Sequence, residues 1–402
     1  MLKRLSLVIG LGSVAVPIAA QQKLALTKPD AEFAEPYTSL RSVRELADGR
    51  VVVADAIDKV VHILDFRSGT ALKIGREGRG PEEYLIPMSL FPTPDGGALL
   101  ADLGNRRLLP IAPDGKIGKA ISVPTPSAPS GNQGEGRRMM MTGLFNPQAS
   151  DAKGNLYFQG AALPDADGKP VDSVPLLRWA PGTSQIDTMT WLPLTDAMRP
   201  QIQRDVGGRG TMMVRMGGGA AWAKQVGWSV AADGRIAIVT PEPYRVTWVG
   251  GANRTVGPVI PYTPIKVTEA DKKQYLDQQS RARPVIATFG GGGRAAPPPN
   301  IQNNPQDTRF PETKPAFSGN NAVLVTPEGD VWVNRLRPAS EPSPLYDVFD
   351  DRGRKQGEVT LRPRSRVVGF GQGTVYVIRT DEDDLQYLER FKRPSRQVTL
   401  KD

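Results

Sequence analysis

A turn followed by a short apolar strand recurs six times along this chain, and no other feature limits its fold as tightly. The first copies read L-A-D-G-R-V-V-V-A-D from Leu46 and P-D-G-G-A-L-L-A-D from Pro94. Others begin at Asp151 (D-A-K-G-N-L-Y-F-Q), Ala232 (A-D-G-R-I-A-I-V-T), Pro327 (P-E-G-D-V-W-V-N-R) and Gly371 (G-Q-G-T-V-Y-V-I-R). Each is followed by a second apolar strand and another turn. Asp, Asn and Gly enter positive φ cheaply, so Asp-Gly between apolar runs marks an antiparallel hairpin. The unit is therefore a meander. The turn glycines Gly49, Gly96, Gly154, Gly234, Gly329 and Gly373 place the closest copies at the roughly 40–50 residue spacing of a four-stranded propeller blade, and the wider spacings are a blade plus an insertion.

The expected fold is all-β: a six-bladed β-propeller with blades near residues 37–75, 86–123, 144–192, 227–260, 321–361 and 366–400, forming one unit over 21–402. Many of the strands are solidly apolar, as strands sandwiched between neighbouring blades should be. Two segments compete to close the ring, Gln397 to Leu400 as the last strand of the sixth blade and Leu24 to Thr27 as an addition at its edge.

The run K-I-G-R-E-G-R-G-P-E-E-Y from Lys73 to Tyr84, together with D-L-G-N-R-R-L from Asp102, resembles the NHL-type repeat of exported bacterial six-bladed propellers, a group that also resembles the TolB propeller. The resemblance covers residues 40–120 and implies a fold without implying a reaction. Gly75, Gly78 and Gly80 follow a strand without opening a helix, so they read as a blade crossing and not as a nucleotide loop.

Lys3 and Arg4 precede an uncharged run from Leu5 to Ala20, too short to span a bilayer and ending in Ala-Ala. Residues 1–20 are expected to be a secretory signal, which makes the protein periplasmic or secreted. The absence of cysteine excludes disulfides, thiol nucleophiles and thiolate metal sites. The formal charge of +9, reduced by two when Lys3 and Arg4 leave, favours acidic partners: an envelope protein, an anionic glycan or a membrane-associated complex. Nucleic acid conflicts with export.

In an up-and-down blade the loops joining strands two and three share a face with the blade-to-blade connections. Every long insertion falls on that face, where binding is expected. Residues 124–142 carry Arg137 and Arg138 beside three methionines; residues 196–224 carry Arg199, Arg204, Arg209, Arg215 and Trp222; residues 262–319 contain a helix over 268–283 capped by Thr268. These arginines and Trp222 are the candidate binding residues. Asp55, Asp102, Asn105 and Asp381, from loops on the same face, are oxygen ligands of the type that holds calcium, although side-chain bonds within their own turn account for Asp102 and Asn105 as well, and solvation for Glu382 to Asp384. The one histidine, His62, lies inside an apolar strand, so neither a zinc cluster nor a Ser-His-Asp set is available away from it. The expectation is a non-catalytic binding or scaffold propeller of the envelope, with no catalytic residues. A calcium-dependent hydrolase or lactonase at the axis is the alternative.

Overall fold

A computed structural model describes residues 22–124, 146–160, 171–194, 220–281 and 308–394, with 200–204 and 212–216 as backbone only. Its strands form six antiparallel blades around an axis. Blade one is Leu40–Glu45, Val51–Asp55, Val60–Asp65 and Thr70–Lys73, from the axis outward. Blade two is Pro87–Pro92, Ala98–Asp102, Arg107–Ile111 and Ile121–Ser122; blade three is Ala149–Ser150, Leu156–Gln159, Ser173–Trp179 and Ile186–Pro193. Blade four is Gly227–Val230, Ile236–Pro241, Tyr244–Gly250 and Asn253–Val256, so its outer strand ends before Ile260. Blade five is Val323–Val325, Val331–Arg335, Leu345–Phe349 and Lys355–Leu361, and the inner three strands of blade six are Ser365–Phe370, Thr374–Thr380 and Gln386–Lys392.

The amino-terminal segment closes the ring. Strand β2, Ala31–Glu32, is the outermost strand of blade six, antiparallel to Gln386–Lys392. Strand β1, Gln22–Leu26, runs parallel to Lys355–Leu361 as a fifth strand on blade five. Leu24 to Leu26 thus extends the fifth blade and not the sixth, which corrects the sequence expectation, and Gln397 to Leu400 lies outside the described residues. The physical reason is register: Leu24 and Leu26 pack with Val359 and Leu361 in one apolar cluster, and the chain then crosses to reach the free edge of blade six. Phe33 and Tyr37 follow β2 into the buried seam between blades six and one.

Apolar side chains from facing blades make up the core. Trp179, Trp228 and Trp248 are almost fully enclosed, and aromatic groups of this size dominate the burial energy of such a core. Tyrosine hydroxyls pin the seams: Tyr244 donates to Asp347 Oδ2 (2.8 Å), Tyr346 accepts from Val367 N (3.0 Å) and Tyr376 donates to Glu45 Oε2 (2.5 Å). Two features have no counterpart in the sequence expectation. Pro200–Arg204 pairs with Met212–Met216 as a hairpin inside the second insertion, and Arg76–Glu77 pairs in parallel with Glu83–Tyr84 at the first blade crossing. That crossing needs its glycine: Gly75 has φ +64°, and a Cβ there would meet Glu82 O at 2.7 Å.

Candidate functional site

The inner strands of the six blades do not meet at the axis. They surround a cavity of about 1810 Å³, running from the inner turns at Ala47, Gly96, Ala152 and Pro327 to a helix, α1 (Glu269–Arg281), at the other end. Ligand pockets are typically about 300–1,000 Å³, so this channel has room for more than one small molecule. Short polar side chains such as Ser89, Gln148, Ser229, Asn321 and Thr326 line much of the wall.

Helix α1 starts where the sequence says it should. Thr268 N donates to Asp271 Oδ2 (2.8 Å) and Asp271 N donates back to Thr268 Oγ1 (3.2 Å), a reciprocal cap. Asp271 also clamps the helix to the wheel. Its Oδ1 accepts from Lys314 Nζ (2.8 Å) and Ala339 N (2.7 Å), and both side chains of the ion pair are buried. Lys314 Nζ further donates to Arg337 O (2.6 Å) and lies 4.5 Å from the Trp222 ring centroid. Burial by itself would raise the Asp271 carboxyl, but the bonds from Lys314, Thr268 and Ala339 outweigh it and hold the group well below the usual carboxylate range. Trp222, Tyr275 and Phe310 pack ring against ring beside this clamp, with centroids 5.1 to 5.7 Å apart.

Ala270, Lys273, Gln274, Asp277 and Arg281 recur at three- and four-residue spacing, so one face of α1 looks down the channel, and that face is mainly polar. At the far end Arg281 reaches within 3.7 Å of Asp384 in the blade-six loop, which also binds Arg364 at 2.7 Å. The helix therefore bridges from blade five to blade six across the mouth.

Charge within the channel is uneven. Arg41 and Arg44 stand on the inner strand of blade one, and Arg366 stands on that of blade six. Burial, opposed by Tyr346 and reinforced by the like charge of Arg41, pulls the Arg366 guanidinium down to about 10. Its Nη2 donates to Leu40 O (2.5 Å). Burial also lowers Arg44, against the pull of Glu45, and Arg44 Nε has no hydrogen-bond partner among the described residues. Glu45 itself is occupied by Gln372 N (3.0 Å), Thr374 Oγ1 (2.7 Å) and Tyr376 OH.

The residues singled out from the sequence are placed as follows. Arg137, Arg138, Arg199 and Arg209 lie outside the described residues, and Arg204 and Arg215 sit on the backbone hairpin of the second insertion. Trp222 is half-buried in the aromatic anchor of α1. Asp55 accepts from Ser39 N, Ile57 N and Asp58 N at 2.7 to 3.0 Å; Asp102 accepts from Leu85 N, Ile86 N and Asn105 Nδ2; Asp381 accepts from Asp383 N and Leu385 N. These carboxylates are held in separate loops, and among the described residues no three His, Cys, Asp or Glu side chains are grouped to hold one ion. His62 Nδ1 is 2.9 Å from Tyr37 OH in a blade seam, and burial lowers the ring against the opposing charge of Glu35. The channel arginines and the clamp Lys314 were missed by sequence reasoning. The signal of the arginines was a charge at an inner-strand position where a sandwiched blade calls for an apolar residue; Lys314 stands on a short strand, Thr313–Lys314, outside the blades.

No family model and no curated protein matches the chain. It is similar to several solved structures. A member of the DUF4221 family from Bacteroides vulgatus is 10% identical, with a TM-score of 0.46 over 89% of this chain and 94% of that one. An exported protein from Bacteroides fragilis, described as putative, is 10% identical, with a TM-score of 0.41 over 93% and 100%. A gluconolactonase from Xanthomonas campestris is 11% identical, with a TM-score of 0.39 over 90% and 91%. The strands themselves define the class of protein, a six-bladed β-propeller whose axial channel is lined at one end by a helix. Among the described residues no helix is long and apolar enough to cross a membrane.

Proposed function

We propose that the protein is a binding propeller of the bacterial envelope that holds a small polar ligand in its axial channel beneath α1, without turning it over. One observation carries this reading: a channel of about 1810 Å³ is lined at one mouth by the polar face of a helix that a buried ion pair fixes in place. A helix held only for stability would turn apolar residues inward. Here Lys273, Gln274 and Asp277 face the cavity instead. Because α1 belongs to the longest insertion, the insertion-bearing face and the channel form one site, from which an envelope protein or a membrane-associated complex would sense the ligand. Lys3, Arg4 and the uncharged run that follows support export.

The test is to plug the channel. Ser229 lines it from the inner strand of blade four, so Ser229→Trp fills the lumen while leaving the blade seams untouched. A screen of sugars, sugar acids and amino acids by thermal shift is expected to find ligands whose affinity falls at least about tenfold in the variant. It should leave them unchanged in Trp191→Ala, an exposed side chain on the outer strand of blade three. Equal binding by the plugged variant would remove the channel from the account, and turnover of a bound compound would replace binding by hydrolysis.

A further inference from the structure

Six arginines line the channel; Arg281, Arg335 and Arg364 pair with carboxylates, whereas Arg41, Arg44 and Arg366 form no ion pair among the described residues. Arg41 and Arg366 meet at the seam of blades one and six, close enough for their like charges to oppose each other. Both stand at the α1 end of their strands. Arg44 lies three residues further along the same strand as Arg41, about 10 Å deeper at some 3.3 Å per residue. Arg366 donates to a backbone carbonyl, and Arg44 Nε is buried with no hydrogen-bond partner among the described residues. Elsewhere half-buried arginines pair with carboxylates, as Arg362 and Arg379 do with Glu389, while Arg245 Nε, like Arg44 Nε, is buried without a hydrogen-bond partner among the described residues. Leaving like charges together at a seam, partly desolvated, is costly unless an anion joins them.

We propose that Arg41 and Arg366 form a recognition site for the carboxylate of a hydroxyl-rich small molecule, a sugar acid, with Arg44 extending the positive potential deeper into the channel. This deepens the channel reading and rests on it. The planar guanidinium fork matches a carboxylate, and two forks supply donors for both of its oxygens. The rest of the lining selects the body of the ligand. Ser89, Ser229, Gln148 and Asn321 offer hydroxyls and amides that exchange hydrogen bonds with sugar hydroxyls. Asp277 on α1 and Asp383 on the blade-six loop also face the cavity. These carboxylates accept from hydroxyls and repel an anion of high charge, so a monoanionic acid suits the mouth better than a phosphate.

The experiment titrates the whole protein with a glucuronate disaccharide, its neutral glucose counterpart and inorganic phosphate, by calorimetry at low and high salt. The wild type is expected to bind the acid at least tenfold more tightly than the neutral disaccharide, with affinity falling as salt rises. Arg41→Gln is expected to weaken the acid about 10- to 100-fold and the neutral sugar hardly at all, because one charge-assisted pair is lost. Arg366→Gln should do the same. Arg41 is exposed to the channel and not packed in the core, so its variant should keep the wild-type melting temperature and serve if Arg366→Gln folds poorly. Acid and neutral sugars that bind equally, both lost on Ser229→Trp, would overturn the carboxylate site and leave the channel reading standing. Failure of the acid to bind, or phosphate binding more tightly through the same arginines, would also overturn it. Acid binding indifferent to the plug would overturn the channel reading itself.

Discussion

Deleting residues 22–33 is expected to abolish cooperative folding of the whole wheel, although it removes only two short strands. Strand β2 is the outer strand of blade six, and Phe33 N donates to Leu388 O (2.9 Å) just beyond it. Phe33 is 3% exposed and packs in the seam between blades six and one. Replacing such a residue by alanine alone costs about 3–5 kcal/mol. The deletion adds the loss of Leu24 and Leu26 from the blade-five cluster and of the Glu32 to Arg379 and Asp30 to Arg390 ion pairs. A domain has only about 5–15 kcal/mol in total. The edge of blade six would also be left open to pairing with other chains. The truncated protein should aggregate or melt far below the full chain, and a peptide spanning 22–36 added in trans should restore the fold by re-adding the strands. A truncated protein that melts with the wild type would place ring closure elsewhere.

The second large effect concerns the clamp on α1. Lys314→Met leaves the Asp271 carboxylate buried without its cation, a change that costs about 3–5 kcal/mol in buried pairs. The loss should appear as release of the helix and not as collapse of the blades, because local units open below the global stability. Trypsin cleavage at Lys272, Lys273 and Arg281 should therefore accelerate, while the main melting transition moves little. Adding Asp271→Asn to Lys314→Met should recover part of the protection, since the uncompensated charge is gone. The pH behaviour follows from the depressed carboxyl. Its stabilising contribution is complete above the ordinary carboxylate range and fades only as the pH falls through its lowered value, so α1 should stay clamped from neutral pH down to about pH 4 and release only in stronger acid. Cleavage rates that do not change in Lys314→Met would show that the aromatic packing of Trp222, Tyr275 and Phe310 holds the helix unaided.

Much of the fold was legible because its signals are local. Asp48-Gly49, Asp95-Gly96 and Asp233-Gly234 each dictate a tight turn with the glycine at positive φ, and each is followed by a strand buried on both faces. The cap of α1 was equally local, with Thr268 and Asp271 three residues apart. Ring closure was not legible, since Ala31–Glu32 is too short to show alternation and finds its partner some 360 residues away. The role of α1 was hidden for the same reason: Asp271 needs Lys314, 43 residues on, to become a clamp. The acidic loop residues show how ambiguous composition is. Asp55, Asp102 and Asp381 have the chemistry of metal ligands, yet backbone N–H groups of their own loops engage Asp55 and Asp381, and those of Leu85 and Ile86 at the blade crossing engage Asp102. Arg41, Arg44 and Arg366 gain meaning only when the topology brings the inner strands together around one axis.

Thiol footprinting tests the central claim most directly, because the chain has no cysteine and a single substitution supplies a unique probe. Ser89→Cys places a thiol on the channel wall in blade two, and Trp191→Cys places one on the outer rim of blade three. Each is treated with a small maleimide in the presence and absence of saturating glucuronate disaccharide. The account predicts that the ligand slows modification of Ser89→Cys at least tenfold and leaves Trp191→Cys unaffected. Full reactivity of Ser89→Cys in the ligand-saturated protein would contradict it and place the ligand outside the channel.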